Sequence, residues 1–136
     1  MILNAEEFIK LRKSSNPNDY NRAASEEASI DVWLDVLNNY PDMKKWVIHN
    51  KKIPIKILDK LSRDFDPEIR VDVARKRKII DTPIFKRLAK DKDENVRYAL
   101  MWNTKLNFKM FKMIDSSGSE WFRKIYNERL NVFSLK

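Results

Sequence analysis

The chain writes one pattern twice. Leu61-Ser62-Arg63-Asp64-Phe65-Asp66-Pro67-Glu68-Ile69-Arg70-Val71-Asp72-Val73-Ala74 aligns with Leu88-Ala89-Lys90-Asp91-Lys92-Asp93-Glu94-Asn95-Val96-Arg97-Tyr98-Ala99-Leu100-Met101 at an offset of 27. The shared skeleton is Leu, a small residue, a base, Asp-x-Asp, Ile/Val-Arg and an apolar stripe. A fixed period of this size signals units that bury their apolar faces against one another. Weaker echoes stand at an offset of 26. Glu120-Trp121-Phe122-Arg123-Lys124 lies over Glu94 to Tyr98, and Pro41-Asp42-Met43 over Pro67-Glu68-Ile69.

Each copy reads as helical. Asp66-Pro67 and Thr82-Pro83 are cap-plus-proline helix starts. Asn4, Ser29, Asp93 and Asn107 are further N-caps, Asn4 with Glu7 closing a capping box. The spacing predicts helices over about 5–13 and 19–28, from Ser29 to Tyr40, from Asp42 to Asn50, and from Pro54, Pro67, Pro83, Glu94, Phe108 and Glu120. Ser14 to Asn18 reads as a turn. One glycine in 136 residues is too few for a sheet protein with tight turns, so the class is all-α. The domain reading is an acidic helical N-terminal cap over 1–28, about four helix pairs over 29–130, and a C-terminal tail over 131–136.

The best unit, Asp91 to Asn103, resembles the variant leucine-rich repeat and the similar HEAT-like repeats of bacteria. The Asp64 to Lys76 unit follows it closely, with Lys76 where the family usually has Asn; Val47-Ile48-His49-Asn50 keeps the Asn without the Ile/Val-Arg pair. The resemblance covers roughly 30–130 and implies a right-handed α-solenoid of helix pairs. Some relatives of the variant repeat hold an iron–sulfur cluster on cysteines; this chain has no cysteine, so that cofactor does not carry over. One HEAT-like lineage comprises DNA glycosylases, and no motif here licenses transferring their residues. Small bacterial proteins of this look are adaptors or immunity proteins that block a toxin.

Charge narrows the partner. The net charge is +8, yet residues 1–35 hold four bases and seven acids, leaving +11 on the rest. A basic body favours an acidic partner. The loops that close successive units carry bases: Asn50-Lys51-Lys52, Arg75-Lys76-Arg77-Lys78 and Asn103-Thr104-Lys105. In a repeat stack such loops share one edge, so Lys51, Lys52, Arg75, Arg77, Lys78 and Lys105 are expected to form a ridge. Trp46 and Trp102 adjoin it as candidate stacking platforms or interface anchors. Trp33 and Trp121 read as core. Arg70, Arg97 and Arg123 share one repeat position. Asp66 and Asp93 stand four residues before the first two, so a structural Asp–Arg ladder is expected.

Chemistry beyond binding finds little footing. His49 is the one histidine, and no Ser–His–acid set, cofactor motif or metal-ligand spacing is visible. The reading is a non-enzymatic module, a monomer in the cytoplasm, that binds an acidic protein through its concave face and basic edge. Nucleic-acid backbone on the same ridge is the alternative. No run of about 20 apolar residues suggests a membrane span.

Overall fold

The computed structural model describes residues 1–135. It is all-helical, its only β-type pairing among the described residues being an isolated parallel bridge between Ile2 and Ala28. The chain divides into two compact units, Met1–Lys60 and Leu61–Lys136.

The first unit contains α1 (Ala5–Lys13), α2 (Pro17–Ser25), α3 (Ile30–Asn39), a 3₁₀ turn Pro41–Met43, α4 (Lys44–His49) and most of α5 (Ile55–Leu61). Asn4 Oδ1 accepts from Glu7 N at 2.8 Å to start α1. Asn16 caps α2, with Pro17 at the first helical position. The sequence analysis places that helix at 19–28; it starts two residues earlier because Asn-Pro is itself a cap-plus-proline start. Its end comes at Ser25, where Glu26 turns extended. Phe8 meets Trp33 edge-on with ring centroids 5.0 Å apart, both fully buried. Burying rings of this size contributes about 1.5–3 kcal/mol each.

Arg22 and Glu26 pair across one turn near the end of α2, Arg22 Nε to Glu26 Oε2 at 2.5 Å. The guanidinium holds the Glu26 carboxyl down to about 2. A depressed carboxyl adds stability above its unfolded pKa, near 4.3, and loses it as pH falls toward the folded value. The first unit should therefore lose stability between about pH 4 and pH 2. In Glu26→Gln that component should be missing. Equal acid sensitivity of the two chains in thermal melts would contradict the assignment.

The second unit contains α6 (Pro67–Ala74), a 3₁₀ turn Arg77–Ile79, α7 (Pro83–Leu88), α8 (Glu94–Met101), α9 (Phe108–Phe111) and α10 (Glu120–Ser134). Asp66, Thr82, Asp93, Asn107 and Ser119 cap their helices through the side-chain oxygen. The helices α6, α8 and α10 pack in series, α6 on α8 and α8 on α10, while α7 touches both α6 and α8 and α9 lies against α10. Their seams are the expected stripes: Ile69, Val73 and Ala74 on α6, Val96, Ala99 and Leu100 on α8. A 3.6-residue period puts such positions on one side of each helix.

The stretch read from sequence as a tail, 131–136, ends in Lys136, which lies outside the described residues. Helix α10 runs through Ser134, and Phe133 is buried with its ring 5.0 Å from Phe111. Chain geometry also explains the single glycine. Gly118 has φ +146°, and a Cβ there would stand 2.9 Å from Glu94 Oε2. That leaves both the backbone and the space to glycine.

Candidate partner-binding face

The repeat is held together by arginine, but not by the pairs that sequence spacing suggests. Asp66 and Asp93 cap α6 and α8, accepting from Glu68 N at 2.9 Å and Asn95 N at 2.8 Å. Neither carboxylate pairs with the guanidinium four residues on. Arg70, 7% exposed, instead reaches forward to the next unit. Its Nε donates to Asp91 Oδ2 at 2.8 Å and its Nη2 to Asp91 Oδ1 at 3.2 Å, a two-pronged ion pair. Its Nη1 donates to the carbonyls of Asp64 at 2.7 Å and Phe65 at 3.2 Å. Arg97, 4% exposed, repeats the reach. Its Nη1 donates to the carbonyls of Asp115 at 2.6 Å and Ser117 at 2.5 Å, with its guanidinium 4.6 Å from the Phe122 ring centre.

The receiving structure is a turn made three times. Asp64, Asp91 and Asp115 each accept, at Oδ1, the N–H two residues on, at 2.9, 2.9 and 2.8 Å. The Ser117 N–H on Asp115 holds that carboxyl below its usual range. The arginines read the turns opened by Asp64 and Asp91, the first aspartates of each Asp-x-Asp, and by Asp115 of Asp-Ser-Ser. Arg123, expected as the third rung, is exposed and makes no ion pair among the described residues.

A second repeated device is the asparagine that closes a unit. Asn103, 4% exposed, donates from Nδ2 to the carbonyls of Ala74 at 2.9 Å and Lys76 at 3.0 Å, and accepts at Oδ1 from Lys105 N at 3.1 Å. Asn50, fully buried in the first unit, does the same with Ala23 O and Glu26 O, both at 2.8 Å, and Lys52 N at 2.8 Å. A carboxamide alone offers two donors and an acceptor in one plane. The sequence pattern contained these residues, but only folded geometry assigns them the task of clamping the end of the preceding helix pair.

The basic loops are less uniform than a ridge of free cations. In the first unit Lys51 and Lys52 are exposed, and Lys51 N donates to Ala24 O at 2.8 Å. In the second, Lys105 Nζ pairs with Asp81 Oδ2 at 2.7 Å, and Arg75 lies 3.7 Å from Asp72. Lys76 and Lys78 are part-buried. Burial pushes the Lys76 ammonium down, with the charge of Lys78 adding to it; burial alone pushes Lys78 down. Arg77, in the 3₁₀ turn, is exposed.

The tryptophans divide differently from the sequence expectation. Trp33 is core. Trp121 is not; it is 49% exposed, like Trp102. The offset of 26 sets Trp121 opposite Asn95, a solvent position, and that signal outweighs its aromatic character. Between the two lies Tyr98, its ring 6.3 Å from Trp102 and 5.2 Å from Trp121. Three rings from α8 and α10 thus form one row. Beside it a cleft of about 320 Å³ is lined by Arg75, Tyr98, Ala99, Trp102, Asn103 and Thr104.

Each tryptophan beside the basic loops has an arginine over its ring. The Arg12 guanidinium sits 3.3 Å from the Trp46 ring centre and 3.9 Å from that of Tyr20. Arg129 sits 4.2 Å from Trp102. A cation on the ring face is attractive and fixes the indole rotamer. Each tryptophan is therefore a rigid anchor with one side already stacked.

Among the described residues no cluster of His, Cys, Asp and Glu is suited to a metal ion, and no helix is long and apolar enough to cross a membrane. Comparison with family models, curated proteins and solved structures finds no match.

Proposed function

We propose that this chain is a protein-binding module, and that it holds an acidic partner on the α8–α10 face of the second unit. The observation that carries this is the row Trp102–Tyr98–Trp121, both tryptophans half-exposed and Arg75 beside the cleft. Exposed Trp, Tyr and Arg in one patch are the residue types that dominate protein interfaces. Trp102, already held by the stacked Arg129, loses little further freedom on binding. The second unit holds 18 bases against 11 acids, a net of +7, which favours a partner of opposite sign and speeds its approach.

The architecture fits a right-handed α-solenoid of HEAT-like or variant leucine-rich repeats. Supporting it are the serial packing of α6, α8 and α10, the recurring Arg-to-next-turn contact and the asparagine clamp. Adaptor and immunity roles both suit such a module. Nucleic acid on the basic loops is the rival, and the arginine already over one face of Trp46 and of Trp102 leaves each ring at most one face for a base.

The test is capture of a stoichiometric partner from the native host after nuclease treatment, by the wild type and by Trp102→Ala/Trp121→Ala. Both sites are half-exposed, so the variant should lose the ring contacts to Tyr98 and Arg129 but stay folded, which circular dichroism checks. It should bind at least tenfold more weakly, the loss expected of central aromatic anchors. Capture abolished by nuclease, with steep salt dependence, would support the nucleic-acid reading instead.

A further inference from the structure

Helix α8 meets the next unit through three residues on one side, Glu94, Arg97 and Tyr98. Positions i, i+3 and i+4 share a helix face. Glu94 Oε2 accepts from Ser119 N at 3.1 Å and Ser119 Oγ at 2.8 Å. Arg97 holds the carbonyls of Asp115 and Ser117. Tyr98 packs on Trp121. The offset of 26 places Glu120, Arg123 and Lys124 at the same three positions of α10. All three are exposed, and their side chains make no hydrogen bond or ion pair among the described residues.

We infer that this face of α10 is an open rung: a docking surface for an acidic, helix-opening turn of a partner protein, with Arg123 as the reader. The occupant follows from what the same arginine position binds inside the chain. Arg70 takes both carboxylate oxygens of Asp91 together with the carbonyls of Asp64 and Phe65, and Arg97 takes two turn carbonyls. In each case the target is a turn whose aspartate accepts the N–H two residues on. A planar guanidinium matches that set of oxygens better than a lysine would. Glu120 would accept from a cap hydroxyl or N–H, as Glu94 does, and Lys124 adds a second cation. Arg123 itself faces away from the aromatic row, while Lys124, three positions on from Trp121, lies beside it. Trp121 and Arg123 are two positions apart, about 200° around the helix, so they point to opposite sides.

The probe is a capped peptide of residues 87–98, which contains the Asp91-Lys92-Asp93 turn, titrated into the ¹⁵N-labelled full chain. The expected result is a saturable shift of the Arg123 Nε–H signal at peptide concentrations up to about 10 mM. The same peptide with Asp91→Asn and Asp93→Asn should bind at least tenfold more weakly, as should the wild-type peptide to Arg123→Gln, there followed on the backbone amides of α10 because glutamine lacks that signal. Trp102→Ala/Trp121→Ala should leave the shift in place, so failure here and failure of the aromatic face are told apart. No shift at Arg123, an equal shift with the Asn peptide, or the same shift produced by an oligothymidine would overturn the proposal. So would a lowered thermal midpoint of Arg123→Gln, because that side chain would then serve the fold.

Discussion

Replacing Arg70 by alanine is expected to destabilise the second unit by about 3–5 kcal/mol, because it strands a buried carboxylate. The Arg70 and Asp91 side chains are only 8% and 7% exposed. In the wild type the two charges neutralise each other through two parallel N–H···O bonds, and the remaining Nη1 satisfies two turn carbonyls. Alanine removes four donor contacts and leaves Asp91 facing a low-dielectric interior. Urea denaturation should show the loss as a shifted midpoint. For a unit of this size the melting temperature should fall by more than about 10 °C. Asp91→Asn should cost less, since the amide keeps an acceptor for the guanidinium. Converting both partners to apolar residues of similar volume should recover much of the loss, as buried pairs often tolerate joint replacement. An Arg70→Ala chain within 1 kcal/mol of wild type would show that solvent reaches Asp91 freely.

Asn103→Asp is expected to destabilise by about 2–4 kcal/mol, at least as much as Asn103→Ala. The change is nearly isosteric, so packing is kept and only the polarity of one atom is inverted. Nδ2 donates to Ala74 O and Lys76 O; an aspartate oxygen there would face two carbonyls with no proton to share. Each buried polar group left without a partner costs roughly 1–3 kcal/mol. Asn50→Asp tests the same device in the first unit, where both Asn50 contacts to carbonyls are 2.8 Å. If Asn103→Asp were neutral while Asn103→Ala was costly, the carboxamide would be acting as bulk rather than as a donor.

The helix starts were legible in the sequence because local chemistry sets them. Asp66-Pro67, Thr82-Pro83, Asp93 and Asn107 each act within three residues, and each caps the helix it precedes. Asn16-Pro17 carries the same signal, masked by the turn chemistry of Ser14 to Asn18 around it. The ladder partners were not legible, because two aspartates in Asp-x-Asp compete. Helical spacing favours the second, whereas the backbone N–H groups claim it as a cap and leave the first for the arginine of the preceding unit. That choice depends on contact 21 residues away in the chain. Trp121 shows the opposite error. Its repeat position marked it as solvent-facing, and its residue type suggested core. The stacking of Arg12 on Trp46 and of Arg129 on Trp102 had no local signal at all, since 34 and 27 residues separate the partners.

Oxidative footprinting of the four indoles in the partner complex addresses the binding face directly. Trp102 and Trp121 are both 49% exposed in the free chain, whereas Trp33 is fully buried and serves as an internal standard. Complex formation is expected to cut the labelling of Trp102 and Trp121 at least fivefold while Trp33 stays unlabelled and Trp46, in the first unit, is unchanged. Full labelling of Trp102 and Trp121 in a saturated complex would contradict the account and move the partner off the α8–α10 face.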